Sequence, residues 1–502
     1  MAVVEKTELI TDRVRAYGSS VAVRDLAGRH TYAELLDAAE RVAASLLGGR
    51  RDLEEERVAV LLAPGMPWVA AVWGVWMAGG VAVPLPLVAA RPEWEYALED
   101  TGAATAIVDE KSAEALRALC AERGVRLRGY AELASGETTQ LPQIDAGRRA
   151  MILFTSGTTN KPKGVVTTHA NITAQIESLV EAWEWSADDR IALFLPLHHV
   201  HGIINIVSCA LWSGASVRML AKFDAGEVWR LMADGELTLL MAVPTIYVRM
   251  IRAWEEQSEA VQHTWSEACR RMRLMVSGSA ALPVSVLERW RAISGHTLLE
   301  RYGMTEIGMA ISNPLHGERV PGAVGRALPG VEVHLAGEDG RAVAAGEAGE
   351  IEVRGPNVFK EYWGKPEATR ETFREGWFRT GDTAVEENGV YRILGRTSVD
   401  ILKSGGHKIS ALEIEESLRE HGDIAECAVV GVPDEEWGER VGVAVVLRTG
   451  CSMELDGLRT WARERMTAHK LPTKMLVVEA LPRNAMGKVV KPQVTKLFAQ
   501  KN

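Results

Sequence analysis

Eleven consecutive residues, Phe154-Thr155-Ser156-Gly157-Thr158-Thr159-Asn160-Lys161-Pro162-Lys163-Gly164, combine hydroxyl side chains, glycines and two lysines in one turn. Backbone N–H groups and ammonium groups gathered in this way can wrap an anionic oxygen cluster such as a polyphosphate. The turn is not a Walker loop, because Lys163 precedes Gly164 and the G-x-x-x-x-G-K-[ST] spacing is absent. An ordinary solvated Ser/Thr/Gly turn is the plain alternative. Further polar groups stand at the ends of apolar runs downstream: His198, His199 and His201, then Ser277-Gly278-Ser279, then Arg301-Tyr302-Gly303-Met304-Thr305-Glu306. Strand ends of an α/β sheet are where substrate-facing groups gather. The three histidines have no neighbouring cysteine or carboxylate to complete a metal site and fit no standard zinc spacing, so they read as a pocket wall or as plain surface or core residues. The small residues around Gly278 suit a flat ring lying close to backbone.

The elements that must hold these groups follow βαβ grammar. The turn lies between the apolar runs Met151–Phe154 and Val165–Thr168. Val58–Leu62, Val81–Leu85 and Thr105–Asp109 read as buried strands and Met66–Ala78 as a buried helix. Thr31 with Glu34 three residues on marks a capped helix start. Ile191–Pro196, Leu239–Thr245, Arg273–Ala280 and Leu298–Glu306 are further strands, with helices over Ile203–Leu211 and from Ile246. From about Gly330 short strands and glycine-rich turns suggest a small antiparallel subdomain ending at Tyr391–Arg396, after which helices and strands restart. The expected fold class is α/β: a large N-terminal domain of parallel α/β layers with a small β subdomain (1–396), plus a small mobile α+β C-terminal domain (397–502). The 15 tryptophans read as packing.

The totals exclude several classes. A chain of 502 residues with 47% hydrophobic and 25% charged content is that of a globular protein with a large core. A net charge of −10 argues against nucleic-acid or polybasic membrane binding. Five scattered cysteines without a C-x-x-C pair read as reduced thiols. The N-terminal residues carry acids early and have no apolar signal core, and Met66–Ala78 is too short to span a bilayer, so a cytoplasmic location is expected. The expected partners are small molecules, with no nucleic acid and no membrane, for a monomer or homodimer.

Taken together and in order, these segments resemble the adenylate-forming superfamily of acyl-CoA synthetases, luciferases and peptide-synthetase adenylation domains. The resemblance implies that Thr155, Ser156, Gly157, Thr158, Thr159, Asn160, Lys161 and Lys163 hold the ATP phosphates while Ser277, Gly278 and Ser279 border the nucleotide. It implies adenine stacking by Tyr302, an α-phosphate bond from Thr305 and a Mg²⁺ ligand in Glu306. Tyr362-Trp363 and Trp377–Asp382 are similar to the next motif, with Asp382 on the ribose hydroxyls and Arg396 close to ribose and phosphate. Ser398 stands at the hinge, where the family usually has Asp or Lys. Pro482–Lys488 resembles the loop of the catalytic lysine, here Lys488, and Ser404-Gly405-Gly406-His407 the segment that lets coenzyme A in. The cofactors implied are ATP, Mg²⁺ and coenzyme A. The implied reaction forms an acyl-adenylate and then a thioester, with the C-terminal domain turning between the two steps.

The acid is read from Arg301, one residue before the adenine tyrosine. A buried guanidinium is costly unless paired, and a second carboxylate on the substrate would pair with it bidentately. Glu300–Glu306, Ser277–Pro283, Leu197–Gly202 and Arg396–Asp400 are similar to the malonyl-CoA synthetase branch, which implies a distal-carboxylate site of Arg301, Arg249, His201 and Ser277 and a malonate or methylmalonate substrate. The alternative for Arg301 is an ion pair with Glu300 or another internal acid, and for Arg249 a solvent-facing helix position. The alternative activities are a medium-chain or aromatic acyl-CoA synthetase and, from another class, a non-catalytic nucleotide or acyl binder.

Overall fold

A computed structural model describes residues 7–155, 161–404, 407–434, 436–483 and 489–500. The chain forms two compact units: Met1–Val333 with Val353–Phe378, and His334–Glu352 with Arg379–Asn502.

The first unit carries two large sheets. Seven strands pair in the order Glu361–Tyr362, Lys163–Thr168, Arg149–Thr155, Val81–Pro84, Arg57–Leu61, Thr105–Val108 and Arg126–Gly129. Nine pair in the order Arg326–Ala327, Gly308–Ser312, Leu299–Met304, Leu274–Ser277, Leu239–Ala242, Arg190–Leu193, Ser216–Met219, Val21–Asp25 and Gly28–Thr31. The inner pairs are parallel, and the hairpins at the edges are antiparallel. The inner strands are buried along their whole length and mostly apolar, because both faces are covered. The helix Met66–Met77 is apolar all round and buried accordingly. Tyr32–Leu47 starts at the expected capping box, with Glu34 N donating to Thr31 Oγ1 at 3.2 Å and Thr31 N to Glu34 Oε2 at 2.7 Å.

Most of the tryptophans do pack. Trp229 stacks on Trp265 at 5.1 Å, and Trp290 meets Tyr247 edge-on at 4.9 Å in the core behind the strand Leu274–Ser277. Trp437 is an exception, exposed on the second unit.

One expectation is revised. The helix expected over Ile203–Leu211 begins as a π-helix, His201–Ser208, and turns α-helical only at Cys209–Trp212. The second compact unit contains residues from before Arg396 as well as after it. It takes in His334–Glu352 because the Glu350 carboxylate accepts from Arg379 Nη2 at 2.9 Å and from Gly381 N at 3.1 Å, while Thr380 Oγ1 donates to Ile351 O at 2.8 Å. The rest of this unit is a sheet built on the long hairpin Ile424–Asp434 and Gly438–Leu447, covered by Ala411–Leu418 and Lys491–Gln500. Among the described residues no helix is long and apolar enough to cross a membrane.

Candidate active site

The lysine-rich turn closes the hairpin of Arg149–Thr155 and Lys163–Thr168, and Thr155 faces Lys163 across it. Thr155 Oγ1 donates to Lys163 O at 3.4 Å. Ser156, Gly157, Thr158, Thr159 and Asn160 lie outside the described residues. On the far side of the turn, Lys161 Nζ lies 5.7 Å from the Tyr96 ring centroid, and Tyr96 Oη donates to Pro162 O at 2.7 Å. Tyr96 also meets Phe154 edge-on at 5.8 Å, so one side chain from a distant helix touches both limbs of the turn. Lys163 Nζ sits 4.6 Å from the Tyr362 ring, within cation–π range.

Thr305 and Glu306 occupy the turn between the strands Leu299–Met304 and Gly308–Ser312, and this turn is held from several sides. Ile307 N donates to Met304 O at 3.2 Å, Phe359 N to Glu306 O at 2.7 Å and Asn357 Nδ2 to Ile307 O at 2.6 Å. Gln175 Nε2 in turn donates to Asn357 O at 3.1 Å. Gly308 has φ +57°, and a Cβ there would stand 2.3 Å from Gln175 Cδ, so both conformation and space require glycine. The buried Glu306 carboxylate accepts from Tyr362 Oη at 2.9 Å through Oε1. Tyr302 lies half-buried at the same strand end.

Five residues before Glu306, Arg301 is only 4% exposed. Its guanidinium lies flat on the backbone of Gly278, where a Cβ would come within 2.5 Å of Arg301 Cζ. Among the described residues no carboxylate lies within ion-pair reach of it. Glu300, the alternative partner, accepts instead from Gly322 N at 3.0 Å. Arg301 Nη2 donates to Ser279 Oγ at 3.4 Å, and Nε has no partner among the described residues. Burial pushes the Arg301 pKa down to about 9.

The same Ser279 hydroxyl lies 3.2 Å from His201 Nδ1. Ser279 holds φ +67°, a strained conformation for a residue with a side chain, of the kind found where function fixes the backbone. His201 is 4% exposed, its Nε2 is unpartnered among the described residues, and burial, then Arg301, then His199 depress its pKa well below 6.5. Ser277, 1% exposed, likewise has an unpartnered hydroxyl. Arg301 and Ser277–Ser279, from two neighbouring strand ends, and His201, from the start of the helix His201–Ser208, are therefore one polar, cationic cluster. His198 and His199 pack on each other, with ring centroids 4.2 Å apart. Among the described residues no hydrogen bond or ion pair joins Arg249 to the cluster: it is exposed on the helix Pro244–Glu255 and lies 4.7 Å over the Phe223 ring.

In the second unit Asp382 and Arg396 face each other across a hairpin, with Arg396 Nε 3.0 Å from Asp382 Oδ1 and Nη1 donating to Thr380 O at 3.0 Å. Ser398 is exposed in the turn that follows. Asp400 ends that turn, accepting from Arg396 N at 3.0 Å and pairing with Lys491 Nζ at 2.6 Å. Ser404 is buried at the end of its strand, opposite His407 and Gly438. Gly405, Gly406 and Lys488 lie outside the described residues.

The sequence matches the AMP-binding enzyme family over residues 10–363 and the AMP-binding enzyme C-terminal domain over 413–488. The chain belongs to the AMP-binding enzyme family. Among its relatives in this family, the mouse protein named malonate--CoA ligase ACSF3, mitochondrial, is 45% identical over 96% of this chain and 89% of its own length. The malonate--CoA ligase of Arabidopsis thaliana is 38% identical over 95% of this chain and 86% of its own. The crystal structure of ATP-bound MatB from Rhodopseudomonas palustris, 34% identical, superposes with a TM-score of 0.87 over 97% of this chain and 99% of that one.

Four residues of these turns and strand-end segments were not singled out by the sequence reading: Tyr96, Gln175, Asn357 and Asn205. The first three act on turns far away in the chain, Gln175 and Asn357 through bonds spanning 182 and 50 residues, and carry no local motif. Asn205 sits in the run Ile203-Ile204-Asn205-Ile206-Val207, where a lone amide among isoleucines was the available signal.

Proposed function

We propose that the chain is an AMP-forming malonate–CoA ligase, accepting malonate or methylmalonate. The observation that carries this reading is Arg301: a guanidinium taken out of water with no carboxylate beside it among the described residues. Such a group costs stability until a ligand supplies the anion. A diacid does so with the carboxylate that does not react. His201 and Ser277 stand beside it as neutral hydrogen-bonding groups, and Arg249 acts as an outer cation that draws the dianion in.

In the first step a carboxylate oxygen attacks the α-phosphorus of ATP. The new P–O bond forms as the bond to pyrophosphate breaks, giving an acyl-adenylate. Thr305 offers its hydroxyl to the α-phosphate, the turn carrying Lys161 and Lys163 takes the outgoing phosphates, and Lys488 is assigned the developing charge on the α-phosphoryl oxygens. Asp382 and Arg396 bind the ribose. In the second step, with the part beyond Ser398 turned and Ser404–His407 brought up, the thiol of coenzyme A attacks the acyl carbon. The C–O bond to AMP breaks and the thioester forms. No covalent enzyme intermediate is needed.

Mg²⁺ fits the donor set at Glu306. This ion is commonly bound by one or two carboxylates plus substrate phosphates, and a buried carboxylate on a clamped turn beside Thr305 meets that description without a protein cage. When bound, Mg²⁺ neutralises phosphate charge.

The test is AMP release with ATP, Mg²⁺ and coenzyme A, comparing malonate, methylmalonate, succinate, octanoate and benzoate. Turnover confined to the short diacids is expected. A preference for octanoate or benzoate would overturn the malonate assignment and leave the adenylate chemistry in place.

A further inference from the structure

Asn205 is 1% exposed, and neither its Nδ2 nor its Oδ1 has a hydrogen-bond partner among the described residues. An amide sealed off in this way is expensive, because both its donor and its acceptor have left water without replacement. Its neighbours Ile203, Ile204, Ile206 and Val207 are buried and apolar, so nothing in its own segment calls for an amide. The segment is the π-helix His201–Ser208. In a helix bonded five residues on, positions four apart lie on one face about a turn apart, and π-turns concentrate at functional sites. Asn205 therefore follows His201 along one face, and His201 shares the Ser279 hydroxyl with Arg301. The unsatisfied buried donors of this region, namely Asn205 Nδ2, Ser277 Oγ, Arg301 Nε and His201 Nε2 in the tautomer that carries its proton there, are the complement of a small, strongly hydrogen-bonding anion.

We propose that Asn205 is a specificity-determining residue that donates Nδ2–H to the distal carboxylate of the diacid, alongside Arg301. This rests on the malonate reading. A neutral amide is suited to the place: it adds a donor without a second buried cation, whose desolvation would exceed what one carboxylate returns. Its preference is for a flat carboxylate at short reach over an alkyl end, because an alkyl end leaves the Nδ2–H donor unpaired.

The experiment compares malonate with 3-methylbutanoate, in which an isopropyl group replaces the distal carboxylate, for wild type and Asn205→Leu. The expected result is a 10- to 100-fold fall, about what one hydrogen bond to a charged group supplies, in kcat/KM for malonate. Turnover of 3-methylbutanoate is unchanged or raised, and KM for ATP stays within about twofold, since Asn205 touches no nucleotide group in this account. Should the leucine variant not fold, Asn205→Thr, smaller than the asparagine, carries the same readouts. A folded variant whose malonate to 3-methylbutanoate ratio equals that of wild type overturns the role of Asn205 alone. A wild-type enzyme that does not prefer malonate over 3-methylbutanoate overturns both this role and the malonate reading.

Discussion

Two ends of one short stretch of chain are built on opposite terms. At Thr305–Ile307 the turn is tied down by Phe359, Asn357 and Tyr362, and Gln175 holds Asn357 in place behind it. A few residues earlier, around Arg301, buried donors and acceptors have no partners among the described residues. The first arrangement fixes geometry before any ligand arrives, which is what groups acting on a phosphoryl transition state require. On the reading proposed above, the second spends stability to create affinity, its groups being completed by the distal carboxylate of the substrate. On that reading selectivity sits where the protein is least satisfied.

Removing the cation should give the largest effect and should separate activity from stability. Arg301→Leu is expected to lower kcat/KM for malonate by about 100- to 1000-fold, the scale of losing a buried bidentate ion pair. The thermal midpoint should stay the same or rise, since an unpaired buried charge has been removed. A fall in both would mean that Arg301 is structural.

The clamped turn should behave in the opposite way. Asn357→Leu leaves Ile307 O without its donor, and about 1–3 kcal/mol of stability should be lost in denaturant titrations. Turnover should fall with every acid alike. A variant that lost malonate turnover only would erase the distinction between the two regions.

Tyr362→Phe removes one hydroxyl from Glu306 and is expected to slow adenylation by about 3- to 10-fold, again independently of the acid. Pyrophosphate exchange measured across Mg²⁺ concentrations checks this, because a looser carboxylate should shift the metal dependence.

The smallest effect concerns pH. Burial depresses the His201 pKa well below 6.5, so the imidazole is neutral through the physiological range. KM for the malonate dianion should show no inflection between pH 6 and 8. The same depression means that the unfolded chain binds the proton more readily than the folded one. Stability contributed by neutral His201 is thus complete above about pH 6.5 and is lost as the pH falls below it. His169, pushed down to about 4 by burial, adds to the same acid lability. Thermal midpoints across pH 4.5–8 read both.

Much of this was legible in the sequence because its signals are local. The Thr31–Glu34 cap, the apolar inner strands and the polar groups at their ends follow from spacing alone. Arg301 could be read as awaiting a carboxylate because its position beside a pocket conflicts with its charge. What stayed hidden is non-local. Gln175 and Asn357 look like ordinary helix and loop residues until the chain folds them against Ile307 and Gly308. The π-helix at His201–Ser208 leaves no periodic trace, since its apolar residues Ile203, Ile204, Ile206 and Val207 are nearly consecutive and every position of the segment is buried. The joining of His334–Glu352 to the later unit rests on Glu350, whose partners lie about thirty residues away.

The most direct test of the contrast is the ratio of kcat/KM for malonate to that for 3-methylbutanoate, measured for wild type and Arg301→Leu at fixed ATP and Mg²⁺. A wild-type ratio far above one that inverts in the variant, with KM for ATP unchanged, is the predicted result. A variant that keeps the wild-type preference for malonate would show that the distal carboxylate is held elsewhere, contradicting the account.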